Sequence, residues 1–231
     1  MVSRNKRQEE RKEQILRAAE RVFAQKGFYQ ATVSEIAREA GVSDATIYEY
    51  FPTKEELLFT IPLDTTRQGQ ETMAEHLEFI RGAANKLWAI AYGYLRFYQH
   101  NPDYASVALL TLKASREFLK TEAYQCIRHW SRLIVDVVNE GIASGEFKAQ
   151  TDPYLLRALI LGTIEHSVTS WLLLGRHQNL AAMADPLIDI VVNGIRGGTD
   201  CTGWHLKIAL EPPIGERQRS CEASGMPEKG A

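Results

Sequence analysis

The stretch Ala31–Phe51 constrains this chain more than any other. It reads Ala-Thr-Val-Ser-Glu-Ile-Ala-Arg-Glu-Ala-Gly-Val-Ser-Asp-Ala-Thr-Ile-Tyr-Glu-Tyr-Phe. Thr32 followed by Glu35 has the spacing of a capping box, in which each side chain satisfies the other residue's free backbone N–H, so a helix starts at Val33. Val33, Ile36, Ala37 and Ala40 give that helix one apolar stripe. Gly41 supplies the positive φ of a tight turn. Val42 can plug the angle between two helices, and Ser43 can cap the second. In that second helix Ile47 and Phe51 face inward, while Thr46, Tyr48, Glu49 and Tyr50 face outward or sideways. Pro52 closes it, and Thr53 with Glu56 forms another capping box that opens a further helix. Two short helices joined by a Gly-Val-Ser turn are what a DNA-reading helix-turn-helix requires. Hydroxyls on the exposed face of the second helix reach phosphate oxygens and base edges in the major groove. The alternative is a plain helical hairpin with solvated aromatics.

The rest of the chain reads as all-α. Ile15, Ala18, Ala19, Val22 and Phe23 recur at three- and four-residue spacing and predict a helix over 8–27, stopped by Gly27. A basic arm of Arg4, Lys6, Arg7, Arg11 and Lys12 precedes it or forms its first turns. Further helices are expected over 53–81, carrying Pro62 as a kink or an accommodated bend, and over 82–100. Asn101-Pro102 starts the next at its N1 position, running to about Lys113. A long helix follows from about Glu117 to Ser144, then one from Asp152-Pro153 to Gly175. The last spans about 180–195, with Pro186 as a kink or its true start. The chain thus divides into an arm and DNA head, 1–52, a helical body for effector binding and dimerisation, 53–195, and a tail, 196–231. The tail collects Gly197-Gly198 and Pro212-Pro213 and is expected to be disordered, save for a short piece at Trp204–Leu210.

Composition excludes little but points the same way. Net charge is −2, with residues 1–54 holding ten Lys/Arg against eight Asp/Glu and leaving 17 of the 27 basic and 21 of the 29 acidic residues to the rest. A mildly basic head on a mildly acidic body is compatible with a nucleic-acid partner. The N-terminus has no apolar signal run, and the longest apolar stretch, Leu155–Leu174, carries Arg157, Glu165 and His166, which suits a buried helix better than a membrane span. Cys126, Cys201 and Cys221 are scattered, and a reducing cytoplasm is the expected location. Cys126 with His129, and Glu165 with His166, lack further ligands at useful spacing, so no metal site, cofactor or catalytic residue is expected. No nucleophile elbow, HExxH or Walker loop is present. An all-α enzyme is the competing class, and it leaves Thr32–Lys54 unexplained.

The segments Ile15-Leu-Arg-Ala-Ala, Phe23-Ala-Gln-Lys-Gly-Phe, Thr32-Val-Ser-Glu-Ile-Ala, Ala40-Gly-Val-Ser, Thr46-Ile-Tyr-Glu-Tyr-Phe and Lys54-Glu-Glu-Leu-Leu lie within residues 12–58. Together they resemble the N-terminal domain of the TetR family of bacterial one-component regulators. The resemblance implies that Thr32 and Ser34 touch phosphates, that Ser43, Asp44, Ala45, Thr46, Tyr48 and Tyr50 form the recognition surface, and that Lys54 pairs with a phosphate. Asp44 and Ala45 depart from the residues common there. A carboxylate near the groove floor repels phosphate but can accept from a cytosine N4 amine.

The segments 152–175 and 180–195 are apolar around much of their circumference. Leu159, Val168, Trp171, Leu172, Ile188, Val191, Val192 and Ile195 are therefore expected in an isologous four-helix dimer interface, and the resemblance implies dimerisation through the last two helices. A dimer would read a pseudo-palindromic operator in double-stranded DNA. The aromatic-rich region 79–130 is either core or a largely apolar effector pocket, with Trp88, Tyr92, Leu95, Tyr98, Leu109, Leu112 and Trp130 as its candidates. From Leu110-Thr-Leu-Lys-Ala-Ser to Gly162-Thr-Ile-Glu-His-Ser-Val-Thr-Ser-Trp the body resembles TetR-family repressors of fatty-acid degradation, which respond to long-chain acyl-CoA; Lys113 stands where those often carry Arg. The expected function is a repressor released from its operator by a small apolar effector. A DNA-binding protein of the same fold acting with a protein partner, without small-molecule control, is the other reading.

Overall fold

The computed structural model describes residues 2–175 and 179–197, with side chains for all of these except 2–5, 64–72 and 74. Helix α1 spans Val2–Lys26, α2 Val33–Ala40, α3 Asp44–Tyr50, α4 Lys54–Glu78, α5 Ala83–His100, α6 Pro102–Ser106, α7 Glu122–Ala143, α8 Pro153–Leu173 and α9 Ala184–Ile195. The only extended pairing among the described residues is an isolated antiparallel bridge between Phe147 and Arg196.

The helix starts follow the local chemistry. Thr32 and Glu35 cap each other reciprocally at α2, and Gly41 closes that helix at φ 64°. Ser43 accepts from Thr46 N–H at α3, Thr53 from Glu56 N–H at α4, and Asp152 from Tyr154 and Leu155 N–H at α8. Each satisfies donors that a helix leaves free in its first turn. One boundary differs from expectation, and two open alternatives are resolved. Helix α1 begins at Val2 rather than residue 8. Helix α4 runs through Pro62 without ending. The final segment is a 3₁₀ turn over Leu180–Met183 followed by α9, which places Pro186 in the first turn of α9, where its missing N–H costs no helix bond.

The largest departure lies between α6 and α7. The expected helix from 102 to 113 is α6 followed by a π-helical turn over Val107–Thr111 and a 3₁₀ turn over Leu112–Ala114. A second 3₁₀ turn covers Phe118–Lys120, and α7 starts only at Glu122, where the Thr121 hydroxyl accepts from Tyr124 N–H. No Gly or Pro marks this break in the sequence.

Two apolar clusters build the interior. The first joins Ile15, Phe23, Ile36, Ile47 and Leu57 to Tyr104, Val107, Leu112 and Phe118, so the head shares its core with the α6 region. The second gathers Leu87, Leu95, Ile134, Val138, Ile160, Ile164, Val168, Ile188 and Val192 from α5, α7, α8 and α9. Val168, Ile188 and Val192 are at most 5% exposed within one chain, which corrects their assignment to a dimer surface. Apolar residues surround these helices, and the inward-facing ones are claimed by α5 and α7.

The α1–α6 contact carries an acidic pair. Burial, then the charge of Asp103, raise the Glu20 carboxyl from 4.5 to about 7, against the pull of Arg21; Arg21 itself pairs with Glu39 at 2.8 Å. The folded protein therefore holds this proton at pH values where the unfolded chain has released it, so stability falls as pH rises from about 4.5 to about 7 and then levels off. Glu20→Gln is expected to raise the melting temperature at pH 8, with the gain shrinking to nothing near pH 4.5. A gain of equal size at both pH values would refute this assignment.

Candidate nucleic-acid interface and effector site

The exposed end of the head is formed by the N-termini of α2 and α3. Thr32, Ser34, Ser43, Asp44 and Ala45 are exposed and Thr46 half-buried. A hydrogen bond from Ser34 Oγ to Asp44 Oδ2 ties the two helices together. Ser43 Oγ and Thr46 Oγ1 lie 2.9 Å apart. Tyr48 projects outward, 52% exposed. Tyr50, expected on the recognition surface, is half-buried and packs against the head core beside Phe51. Lys54, expected to pair with a phosphate, donates from Nζ to the carbonyls of Phe28 and Ala31 at 2.8 and 3.0 Å, with the ammonium 4.4 Å from the Phe28 ring centroid. In the free protein it thus fixes the α1–α2 loop. Gln14 does the same for the α2 end, donating to the Ala40 carbonyl at 2.8 Å.

In the body the candidate effector residues fall into two groups. Leu95 and Leu112 are fully buried, and Tyr98, Leu109 and Trp130 pack against the second cluster. Tyr94, an aromatic of the 79–130 region outside the seven pocket candidates, stacks on Trp130 at 4.5 Å between ring centroids. The rings of Tyr94, Tyr98 and Tyr104 continue that series at 6.5 and 6.3 Å. Burial raises the Tyr98 phenol well above its ordinary range, so it stays neutral. Trp88 and Tyr92 lie elsewhere. One turn apart on α5, they stack on each other at 5.0 Å, and Trp88 Nε1 donates to Asp185 of α9 at 2.6 Å. That contact fastens α9 to α5, which removes this pair from the aromatic series of Tyr94 and Tyr98. Lys113 is ion-paired with Glu165 of α8, and burial lowers its ammonium pKa. Among the described residues no group of three or more His, Cys, Asp or Glu side chains could hold a metal ion, and no helix is long and apolar enough to cross a membrane.

Residues 15–61 match the family described as bacterial regulatory proteins, tetR family, and residues 67–194 match the C-terminal region of YsiA-like protein. The chain belongs to the TetR family. It is 32% identical over 182 residues to the fatty acid metabolism regulator protein of Bacillus subtilis, covering 79% of this chain and 94% of that one. The crystal structure of the transcriptional regulator FadR from Bacillus subtilis in complex with stearoyl-CoA is similar, with a TM-score of 0.74 at 32% identity over 79% of this chain and 98% of that chain. That of the fatty acid degradation regulator FadR from Bacillus halodurans gives 0.73 at 28% identity, over 80% and 99%. As a TetR-family protein the chain is a helix-turn-helix, ligand-responsive transcriptional regulator.

The chain leaves an apolar face uncovered on α8 and α9. Leu155, Leu159 and Leu173 of α8 are 59%, 52% and 66% exposed, and Ile190 of α9 is 76% exposed. Gly162, between Leu159 and Leu173 on the same side, has no atom within 4 Å of where a Cβ would sit. Trp171, Leu172, Val191 and Ile195, also expected in the dimer interface, are half-buried and pack against the second cluster of their own chain. Leu155, Leu173 and Ile190 went unselected from sequence because apolar residues surround both helices, so no stripe separates outward from inward.

Proposed function

We propose that this protein is a dimeric repressor of fatty-acid metabolism genes that leaves its operator when a long-chain acyl-CoA binds the body. The likeness to a regulator crystallised with stearoyl-CoA, which extends over 98% of that chain, carries this reading. The head, 1–52, would set Thr32, Ser34, Ser43, Asp44, Ala45, Thr46 and Tyr48 against double-stranded DNA, with α3 in the major groove. Lys54 supports that surface from behind by holding the loop before α2. The body, 53–195, would take the acyl chain among apolar residues near Tyr98, Leu109, Leu112 and Trp130. Two copies joined through the outer face of α8 and α9 would present their α3 helices to successive half-sites of a pseudo-palindrome, about 34 Å apart or a multiple of it.

A ligand shifts the protein off DNA only by binding better to the arrangement of heads that does not fit the operator. The test is a mobility-shift titration of the protein–operator complex, the operator being first selected from random DNA. Acyl-CoA of C12–C18 length is expected to dissociate the complex at micromolar concentration and free CoA to leave it intact. Tyr48→Ala is expected to weaken operator binding by about tenfold, the worth of one good base or phosphate contact, with the melting temperature unchanged. Dissociation by no chain length would reject the acyl-CoA reading, and full affinity in Tyr48→Ala would reject α3 as the reading helix.

A further inference from the structure

We infer that Trp130 is the residue through which this regulator recognises the carbonyl of its ligand, its buried indole N–H donating to a neutral acyl oxygen, so that thioesters are bound in preference to free fatty acids. This inference rests on the acyl-CoA reading above. Among the described residues Trp130 Nε1 is the one buried side-chain nitrogen or oxygen without a hydrogen-bond partner. A buried indole N–H left unpaired is costly, and native proteins pair nearly all such groups. Its counterpart Trp88 follows the rule, donating to Asp185.

The surroundings define what the partner can be. Trp130 lies against the second apolar cluster with its ring stacked on Tyr94 at 4.5 Å. The basic side chains beside it on α7, Arg128, His129 and Arg132, are exposed. A carboxylate placed at Nε1 would lie against aromatic and aliphatic groups with no cation buried beside it on α7, which is unfavourable. A thioester carbonyl is neutral, accepts one hydrogen bond and is attached to an apolar chain. The same position connects the ligand to the head. The series of ring contacts from Trp130 through Tyr94 and Tyr98 ends at Tyr104 of α6, and Tyr104 belongs to the cluster that includes Ile15, Phe23 and Ile36 of the head.

The experiment compares hexadecanoyl-CoA with S-hexadecyl-CoA, a thioether of equal chain length lacking the carbonyl, on the wild type and Trp130→Phe. Wild type is expected to bind the thioester about tenfold more tightly than the thioether, the effect of one hydrogen bond in a dry site. Trp130→Phe is expected to bind the two alike while retaining operator DNA, which certifies its fold. A second readout needs no variant: the ¹⁵N-indole resonance of Trp130 should move downfield and gain exchange protection with the thioester and not with the thioether. A thioester preference that survives Trp130→Phe, or an indole signal that responds equally to both ligands, overturns the inference and leaves the acyl-CoA reading standing. Binding of neither ligand to the wild type overturns both.

Discussion

Leu159→Glu or Ile190→Glu is expected to yield a folded monomer that no longer holds operator DNA. Both side chains are more than half exposed in the single chain, so the substitution costs the isolated subunit little. In an isologous interface each change occurs twice, and each places an unpaired carboxylate among apolar groups at a cost of several kcal/mol. Sedimentation velocity at micromolar concentration should read half the wild-type mass, and operator affinity should fall at least a hundredfold although the head is untouched. A dimer that persists in both variants would place the interface elsewhere. Val192→Glu is a different experiment. Val192 is 5% exposed inside its own subunit, and a charge there unfolds the chain rather than separating two copies.

Gly141→Ala is expected to destabilise the protein by about 3 kcal/mol, at the upper end of the effect of overpacking a core. A Cβ at this position of α7 would overlap the Phe147 ring and lie 2.8 Å from Cβ of Ala83. Phe147 is 2% exposed and Ala83 1%, so neither has open space to move into. Ala83 also begins α5, whose first N–H groups are held by Glu146. In a domain of this size such a loss corresponds to a melting temperature lower by roughly 10 °C, measurable by calorimetry with the effector-free protein. A shift within 2 °C would mean that the α5–α7 contact relaxes freely.

The head was legible in the sequence because its signals are local. Thr32 with Glu35, Ser43 with Thr46 and Thr53 with Glu56 act across three residues, and each capping hydrogen bond forms at the helix start it predicts. Asp152-Pro153 works the same way, whereas Asn101 makes no capping bond to α6 and donates instead to the Phe97 carbonyl at 2.8 Å. The body was less legible because its decisive contacts span long stretches of chain. Leu159 and Val168 are alike as residues, yet one is exposed and the other fully buried, and only the packing of α5 and α7 against α8 separates them. Trp88 and Trp130 are likewise indistinguishable by type; their different surroundings follow from an aspartate 97 residues away in one case and no acceptor among the described residues in the other. The break after Ser106 had no Gly or Pro to announce it, and Tyr50 was placed on the recognition surface by the family resemblance although it packs against the head core. Trp204–Leu210 lies outside the described residues.

The turn after α7 ties together what the chain keeps far apart. Glu146 accepts from Ala83 and Ala84 N–H at 2.7 and 2.9 Å, Lys148 N–H donates to Ile195 at 2.8 Å, Gly197 N–H donates to the Glu146 carbonyl at 3.1 Å, and Lys148 Nζ reaches the Gly194 carbonyl at 3.1 Å. The start of α5 and the ends of α7 and α9 are thus lashed at a single point. At α6, where the body meets the head, the helical ladder is instead interrupted by one π turn and two 3₁₀ turns. Bonds of that kind are the softer ones in a helix, so strain introduced anywhere in the body finds a clamp at one end and a compliant joint at the other. The body is therefore pinned where α5, α7 and α9 meet and least regular where α6 leads away from its contact with α1.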